Sequence, residues 1–345
     1  MIAKRLMITS LGTLTLAAGA AFLTGPQARA ATKEITVAAL ATPAKPAKHY
    51  HFELITKSNA SPYWLAVRDG ADAAAKKFGV SVSFEAPASG SDLAGQIGMV
   101  NNAVTAGTDG IILAAQNPQA LLKPVKSALA RHIPVVTVDS GLSPNIADCF
   151  LATSNVGAAS ALAKYTAEHL MNSKGQYAIV DFNHTASTGI ARPKGFMLGM
   201  KSYSGIKRMG PIQYSQNSVS KGLRIATTML TQYPHLNVIF GANDRAALGP
   251  AEAVQRAHAK VKVVGFDADL GEIAYVKSGI IQASILQSPY DMGYYAVVAM
   301  LDKLAGKTLP KRISTPYFLL TPKNLSSAKA TAAIRQYAPN YKPAG

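Results

Sequence analysis

From His51 to about Leu320 the chain repeats one unit: a short apolar or β-branched run, a turn, an amphipathic helical stretch, and another run. That alternation specifies βαβ units, which commit a chain to parallel sheets with helices on both faces. The runs fall at 51–57, 80–85, 109–114, 133–138, 176–182, 209–214, 236–241, 261–266, 281–286 and 316–320. Helical periodicity lies at 62–78, 92–106, 118–131, 156–172, 192–203, 219–232, 245–257, 270–277 and 290–305. Several runs, such as Ile111-Ile112-Leu113 and Pro134-Val135-Val136-Thr137-Val138, are apolar without interruption, as expected of strands covered on both faces. Phe78-Gly79, Ala106-Gly107 and Lys303-Leu304-Ala305-Gly306 read as helix stops, and Asn155 as a helix cap. The repeating region is about twice the usual domain length, so it predicts an α/β protein of two Rossmann-like lobes, each able to bury its own core.

The segment ahead of the pattern carries an address. Lys4 and Arg5 precede an apolar stretch from Leu6 to Leu23, and Ala28-Arg29-Ala30 ends it with small residues. This reads as a signal peptide, 1–30, cleaved after Ala30. Thr9, Ser10, Thr13 and Thr15 dilute the stretch, which argues against a membrane anchor, and no later segment approaches the ~20 unbroken apolar residues of a spanning helix. Residues 31–48, rich in Ala, Pro, Thr and Lys without periodicity, read as a flexible leader.

Cys149 is the only cysteine, so the chain forms no intramolecular disulfide; it fits a small buried hydrophobe before a strand better than a nucleophile. No His/Cys cluster has metal spacing, and no metal or other cofactor is expected. The net charge of +17 falls by three to +14 when Lys4, Arg5 and Arg29 leave with the signal. The remaining basic residues are dispersed, with nothing denser than the pairs at 76–77, 207–208 and 311–312, which fits a solvated surface and not a nucleic-acid interface.

Open parallel sheets bind ligands beyond the carboxyl ends of their strands. Asp139 ends Val135-Val136-Thr137-Val138, Asn243-Asp244 follows Val238-Ile239-Phe240-Gly241-Ala242, Asp267 ends Val263-Val264-Gly265-Phe266, and Gln287 ends Ala283-Ser284-Ile285-Leu286. One such residue is often only a helix cap; four with the same placement point to a shared site. Ionised carboxylates accept from hydroxyls, and carboxamides both donate and accept. After the first strand, Ser61-Pro62-Tyr63-Trp64 sets two adjacent aromatics at a helix start, about 100° apart, so that one can pack while the other faces a cleft and covers the apolar side of a sugar ring.

Pro62-Tyr63-Trp64 with Asp69-Gly70, Val135-Val136-Thr137-Val138-Asp139, Ala242-Asn243-Asp244-Arg245-Ala246-Ala247-Leu248-Gly249, Val263-Val264-Gly265-Phe266-Asp267 and Gln287-Ser288-Pro289 together resemble the type I periplasmic binding proteins of the ribose/galactose branch, over roughly 51–322. The resemblance implies two lobes joined by a three-strand hinge, with 49–153 plus 288–316 in the N-terminal lobe and 154–287 plus 317–345 in the C-terminal lobe. It places ligand contacts on Tyr63, Trp64, Asp139, Arg192, Asn243, Asp267 and Gln287, with weaker matches at Ser61, Gln116, Ser140 and Thr153. It also implies a periplasmic monomer that hands its ligand to the membrane permease of an ABC importer. Ribose binders carry an arginine where Ser140 stands and a second one near Ile190. With those donors gone, the expected ligand is a neutral sugar or polyol other than ribose, and Arg192 and Lys194 are the candidates to supply positive charge.

The same residues also fit this scaffold with a nucleoside, amine or signalling molecule as cargo, or with a chemoreceptor as partner. An enzyme is the more distant reading. GxGxxG, Walker, GxSxG and HExxH signatures are absent from the sequence, and nothing in it fixes the carboxylate separation that Asp139 and Asp267 would need as a glycosidase pair.

Overall fold

The computed structural model describes residues 35–343 apart from 41, 42, 44, 60, 89 and 91. The expected signal peptide and its cleavage point after Ala30 lie outside the described residues. Of the expected leader, residues 35–40 lie along a sheet edge. The Ser314 amide donates to the Ile35 carbonyl at 2.7 Å, Thr36 bridges Ser314, and a 3-10 turn follows at Val37–Ala39.

Strands β1 (His51–Ile55), β2 (Ser81–Glu85), β3 (Gly110–Leu113), β4 (Val135–Val138) and β5 (Cys149–Thr153) build a first sheet. The chain then forms a second from β6 (Lys174–Asp181), β7 (Gly205–Arg208), β8 (Gln213–Tyr214), β9 (Leu236–Gly241), β10 (Lys262–Phe266) and β11 (Ile281–Leu286). β12 (Arg312–Thr315) returns to the first sheet beside β5, and β13 (Phe318–Leu320) joins the second, antiparallel to β11. The orders are β12-β5-β4-β3-β1-β2, all parallel, and β13-β11-β10-β9-β6-β7, with β8 also on β6. The chain therefore passes between sheets three times: after β5, after β11 and after β12.

Period-2 alternation divides each strand between two helical layers. In the first sheet, Phe52, Leu54, Ile112 and Val136 face α1 (Pro62–Phe78) and α9 (Pro289–Leu304). Ile55, Ile111, Leu113 and Val135 face α2 (Leu93–Ala106) and α3 (Leu122–Ala130). In the second, Ile179, Phe240 and Ile285 face α4 (Asn155–Tyr165) and α5 (Ser187–Met200), while Ala178, Val180 and Ile239 face α6 (Val219–Gln232) and α7 (Asp244–Arg256). Helix α8 (Leu270–Lys277) lies between β10 and β11, and α10 (Ala328–Arg335) follows β13. Among the described residues no helix is long and apolar enough to cross a membrane.

Helix α9 follows a strand of the second sheet yet packs on the first, against α1. The approach is close because glycines face backbone reciprocally: a Cβ on Gly70 would lie 2.0 Å from the Tyr290 carbonyl oxygen, and one on Gly293 would lie 1.8 Å from that of Val67. Gly293→Ala is expected to push the helices apart at a cost of about 2 kcal/mol, read as a lower urea midpoint with an unchanged slope. An unchanged midpoint would show that the interface is looser than its geometry.

Most expected elements are present. Helix α1 spans 62–78 with Pro62 in its first turn, and Gly79, at φ 71°, takes the left-handed turn that ends it. The differences have local causes. Of the expected strand 209–214 only Gln213–Tyr214 is a strand, and β7 pairs with β6 ahead of it at Gly205–Arg208, because Gly210 turns left-handed at φ 62° and Pro211 has no amide to give. The expected strand 316–320 begins only at Phe318, since 312–315 belongs to the other sheet and Pro316 lies at the passage between them. Cys149 opens β5 instead of preceding a strand; it is buried as expected, and burial pushes its thiol pKa up to about 12, which leaves it a poor nucleophile. Ser154, not Asn155, occupies the cap position of α4. The Asn155 side chain donates instead to the Thr153 carbonyl at 3.1 Å and accepts from Arg192. Helix α10 had no expected counterpart.

Candidate functional site

The carboxyl ends of the two sheets border a cleft of about 850 Å³. Tyr63, Trp64, Asp139, Arg192, Asn243, Asp267 and Gln287 all line it, as do Ser61 and Gln116. Ser140 and Thr153 do not. Ser140 lies fully buried behind Asp139, to which its hydroxyl donates at 2.7 Å, and Thr153 is buried with its hydroxyl 3.5 Å from that of Thr315.

Asp139 and Asp267 each follow the last residue of a strand, and each turns left-handed, at φ 56° and 80°. Non-glycine residues take that conformation at a cost, and here it turns both carboxyls to the cleft. On Asp139, Oδ1 accepts from Tyr63 Oη at 3.0 Å and Oδ2 accepts from Lys57 Nζ at 3.1 Å. Burial alone would raise the Asp139 pKa; the ammonium of Lys57, the guanidinium of Arg192 and the hydroxyl of Ser140 outweigh it and hold the carboxyl below its ordinary value. Asp267 Oδ1 accepts from Gln287 Nε2 at 2.6 Å and Oδ2 from Arg192 Nη1 at 3.4 Å. Here burial prevails over Arg192 and Gln287, and the pKa is raised.

Arg192, on α5, is only 3% exposed. Its Nε donates to Asn155 Oδ1 at 2.8 Å, its Nη1 to the Ala242 carbonyl at 2.9 Å, and its Nη2 lies 3.9 Å from Asp139 Oδ1. The guanidinium stacks 4.0 Å from the Phe266 ring centre. Thus one cation touches a carboxylate from each sheet. The expected second donor, Lys194, is exposed and does not line the cleft. Lys57 takes that role: its ammonium contacts Asp139 and Ser140 and lies 5.5 Å from the Trp64 ring centre. Burial lowers its pKa, opposed by Asp139.

Tyr63 and Trp64 meet edge to face at 4.9 Å; both are buried in the hydrophobic core, Tyr63 against Tyr337, and both also border the cleft. Asn243 has two tasks: its Oδ1 caps α7 through the Ala246 amide at 2.9 Å, and its Nδ2 donates to Asn217 at 2.9 Å. The neighbouring Asp244 is half-buried near Asp267, and desolvation followed by that charge pushes its pKa up to about 7. Gln287 presents a buried Oε1 with no hydrogen-bond partner among the described residues, while its backbone amide donates to Tyr337 Oη at 2.7 Å.

Besides Lys57, sequence reasoning missed Phe182, His184, Thr188 and Tyr214, all on the cleft wall. Phe182 and Tyr214 end runs that read as strands, His184 sits in a loop, and Thr188 lies in the first turn of α5, ahead of the expected helix. The turn after β4 meets the start of α5: the Gly141 amide donates to Ser187 Oγ at 3.3 Å, and the Ser140 hydroxyl lies 3.5 Å from that of Thr188. Among the described residues no group of three or more His, Cys, Asp or Glu side chains is placed to hold a metal ion.

Residues 52–308 match the family described as "Periplasmic binding protein domain". The D-allose-binding periplasmic protein of Escherichia coli is 30% identical over 281 residues, covering 79% of this chain and 89% of that protein. The D-ribose/D-allose-binding protein of Pseudomonas aeruginosa is 28% identical, covering 81% and 90%. An ABC transporter solute-binding protein of Agrobacterium vitis with bound D-fucose superposes with a TM-score of 0.77 at 33% identity, over 81% of this chain and 98% of that one. A carbohydrate transporter solute-binding protein of Agrobacterium radiobacter in complex with D-arabinose gives 0.79 at 30%, over 84% and 99%. With two parallel sheets, three passages between them and polar strand ends around one cleft, the chain belongs to the periplasmic binding protein family.

Proposed function

We propose that this protein is the binding component of an ABC importer and captures a neutral monosaccharide by closing its two lobes around it, without catalysing a reaction. The carrying observation is the internal charge balance of the cleft. Lys57 is paired with Asp139 and Arg192 with Asp267 and Asp139, and the other two charged residues of the wall, Asp244 and Arg245, are opposite in sign. An ionic ligand meets a wall whose charges already balance, whereas sugar hydroxyls can use the lone pairs that remain on Asp139 and Asp267 and the Gln287 Oε1 that has no partner among the described residues. Trp64 and Phe182 supply apolar faces for a ring. The names of the relatives, which bind allose, ribose, fucose or arabinose, support this class. Ser140 in place of an arginine, and Ile190 at 53% exposure, favour a sugar other than ribose. In this reading the three passages form the hinge and ligand shifts the population toward the closed form. The chain acts as a periplasmic monomer after cleavage at Ala30, which N-terminal sequencing of the exported protein checks.

Calorimetric titration with D-allose, D-ribose, D-arabinose, D-fucose, a nucleoside and a polyamine tests the class. Binding of an aldose is expected; binding confined to the nucleoside or polyamine overturns the proposal. Trp64→Ala is expected to weaken sugar binding by about 1–3 kcal/mol, roughly fivefold to over a hundredfold. Parent-like affinity in that variant would place the ligand elsewhere.

A further inference from the structure

Asp267 is held from two directions. Its carboxylate is fixed by Arg192 and Gln287, and its carbonyl faces Ser284 on β11, whose Oγ lies 2.8 Å away. The same Oγ lies 2.6 Å from Oε1 of Glu272 on α8. A hydroxyl has one proton to give, and a backbone carbonyl has none. With the Ser284 proton on the Asp267 carbonyl, the contact with Glu272 needs a proton from the glutamate side.

We infer that Glu272 is a buried neutral acid that donates to Ser284 Oγ, and that Ser284 in turn donates to the Asp267 carbonyl, so that Glu272 is a positioning residue for the ligand-facing carboxylate. The relay fixes the left-handed backbone at Asp267, the turn that sends its side chain into the cleft. Its surroundings agree. Glu272 is fully buried, and its Oε2 has no hydrogen-bond partner among the described residues, an arrangement far less costly for an acid than for a carboxylate. Burial first, then Asp269 on its own helix, Asp267 at the end of β10 and Asp244 at the start of α7, push its pKa well above the ordinary value; Ser284 on β11 opposes them.

Two sequence choices serve this placement. Asp269-Leu270-Gly271-Glu272 has the spacing of a capping box, in which the glutamate would turn back to the first amide. Asp269 does accept from the Glu272 amide at 2.7 Å, but the Glu272 side chain turns inward to Ser284. On β10, a Cβ at Gly265 would lie 2.3 Å from Glu272 Oε1, so the strand leaves room for the acid.

The test builds on the proposed sugar binding, with the tightest-binding aldose of the four named above as probe. Glu272→Gln retains a donor in the same place, and Glu272→Met fills a similar volume without one. The glutamine variant is expected to bind within about twofold of the parent, and the methionine variant about tenfold more weakly. Ser284→Ala is expected to match the methionine variant, and the double variant to be no worse than either single one, because both cut the same relay. Independently of any ligand, an infrared difference between parent and Glu272→Gln at pH 7 is expected to show the carbonyl band of one protonated carboxylic acid. Equal affinities of the glutamine and methionine variants, additive losses in the double variant, or absence of that band would overturn the inference. If the parent binds no sugar, the proposed function fails, and the infrared band still decides the state of Glu272.

Discussion

Arg192→Ala is expected to weaken sugar binding by roughly a hundredfold to a thousandfold and to destabilise the fold by about 3–5 kcal/mol. The guanidinium joins four places in the chain: Asn155 at the start of α4, the Ala242 carbonyl after β9, and the two carboxylates Asp139 and Asp267. Its removal leaves Asp267 with Gln287 as its remaining side-chain donor and strips Asn155 Oδ1 and a backbone carbonyl of their partner, all at buried positions. Leaving a buried charge and two acceptors unpaired costs more than the intact pair contributed. Arg192→Lys is expected to recover only part of the loss, because an ammonium cannot span the fork of contacts that the planar group makes. Calorimetry gives the affinity and urea unfolding the stability. Parent-like values for Arg192→Ala in both would mean that these contacts do not carry the site.

Asp181→Asn is expected to stabilise the protein by about 2–4 kcal/mol at pH 8 and to leave it nearly unchanged at pH 3. Asp181 ends β6, where its Oδ1 accepts from the Phe182 amide at 2.7 Å while its Oδ2 is buried without a hydrogen-bond partner. Burial, only partly offset by backbone amides and by Arg192, pushes its pKa up to about 7. The folded state thus holds its proton more tightly than the unfolded chain, whose carboxyl titrates near 3.8. The contribution of Asp181 is greatest below the unfolded value, declines as pH rises between the two values, and stays low above about 7. An amide of the same shape removes the charge and flattens that dependence. Parallel stability curves for parent and variant between pH 3 and 8 would contradict the burial argument.

The fold was legible because its signals are periodic. Unbroken apolar runs such as Ile111-Ile112-Leu113 required two-sided cover, and Gly79 and Gly107 marked helix ends by the left-handed turn they permit. Asp139, Asp267 and Gln287 could be found because a polar residue after an apolar run stands out, and the topology of a parallel sheet says which end faces ligand. The same rule concealed Lys57 and Phe182, each of which looked like the last residue of a strand. Arg192 came only through resemblance, since its partners lie 37, 53, 50 and 75 residues away in the chain. Tyr337 and Glu272 left no trace at all: one backs the site from beyond the last strand, and the other follows a capping pattern that conceals an inward turn.

The return of α9 and β12 to the first sheet sets an order of events during synthesis. When Leu286 has been made, the second sheet has all its parallel strands and still lacks its antiparallel edge strand β13 and the helix α10 that follows it. The first still exposes the face of α1 that Gly70 opens for α9, and the edge of β5. A nascent chain therefore completes neither half until its last segments are made, and carries an open apolar groove until some 30 further residues arrive, a period in which a holding chaperone has a defined surface to cover.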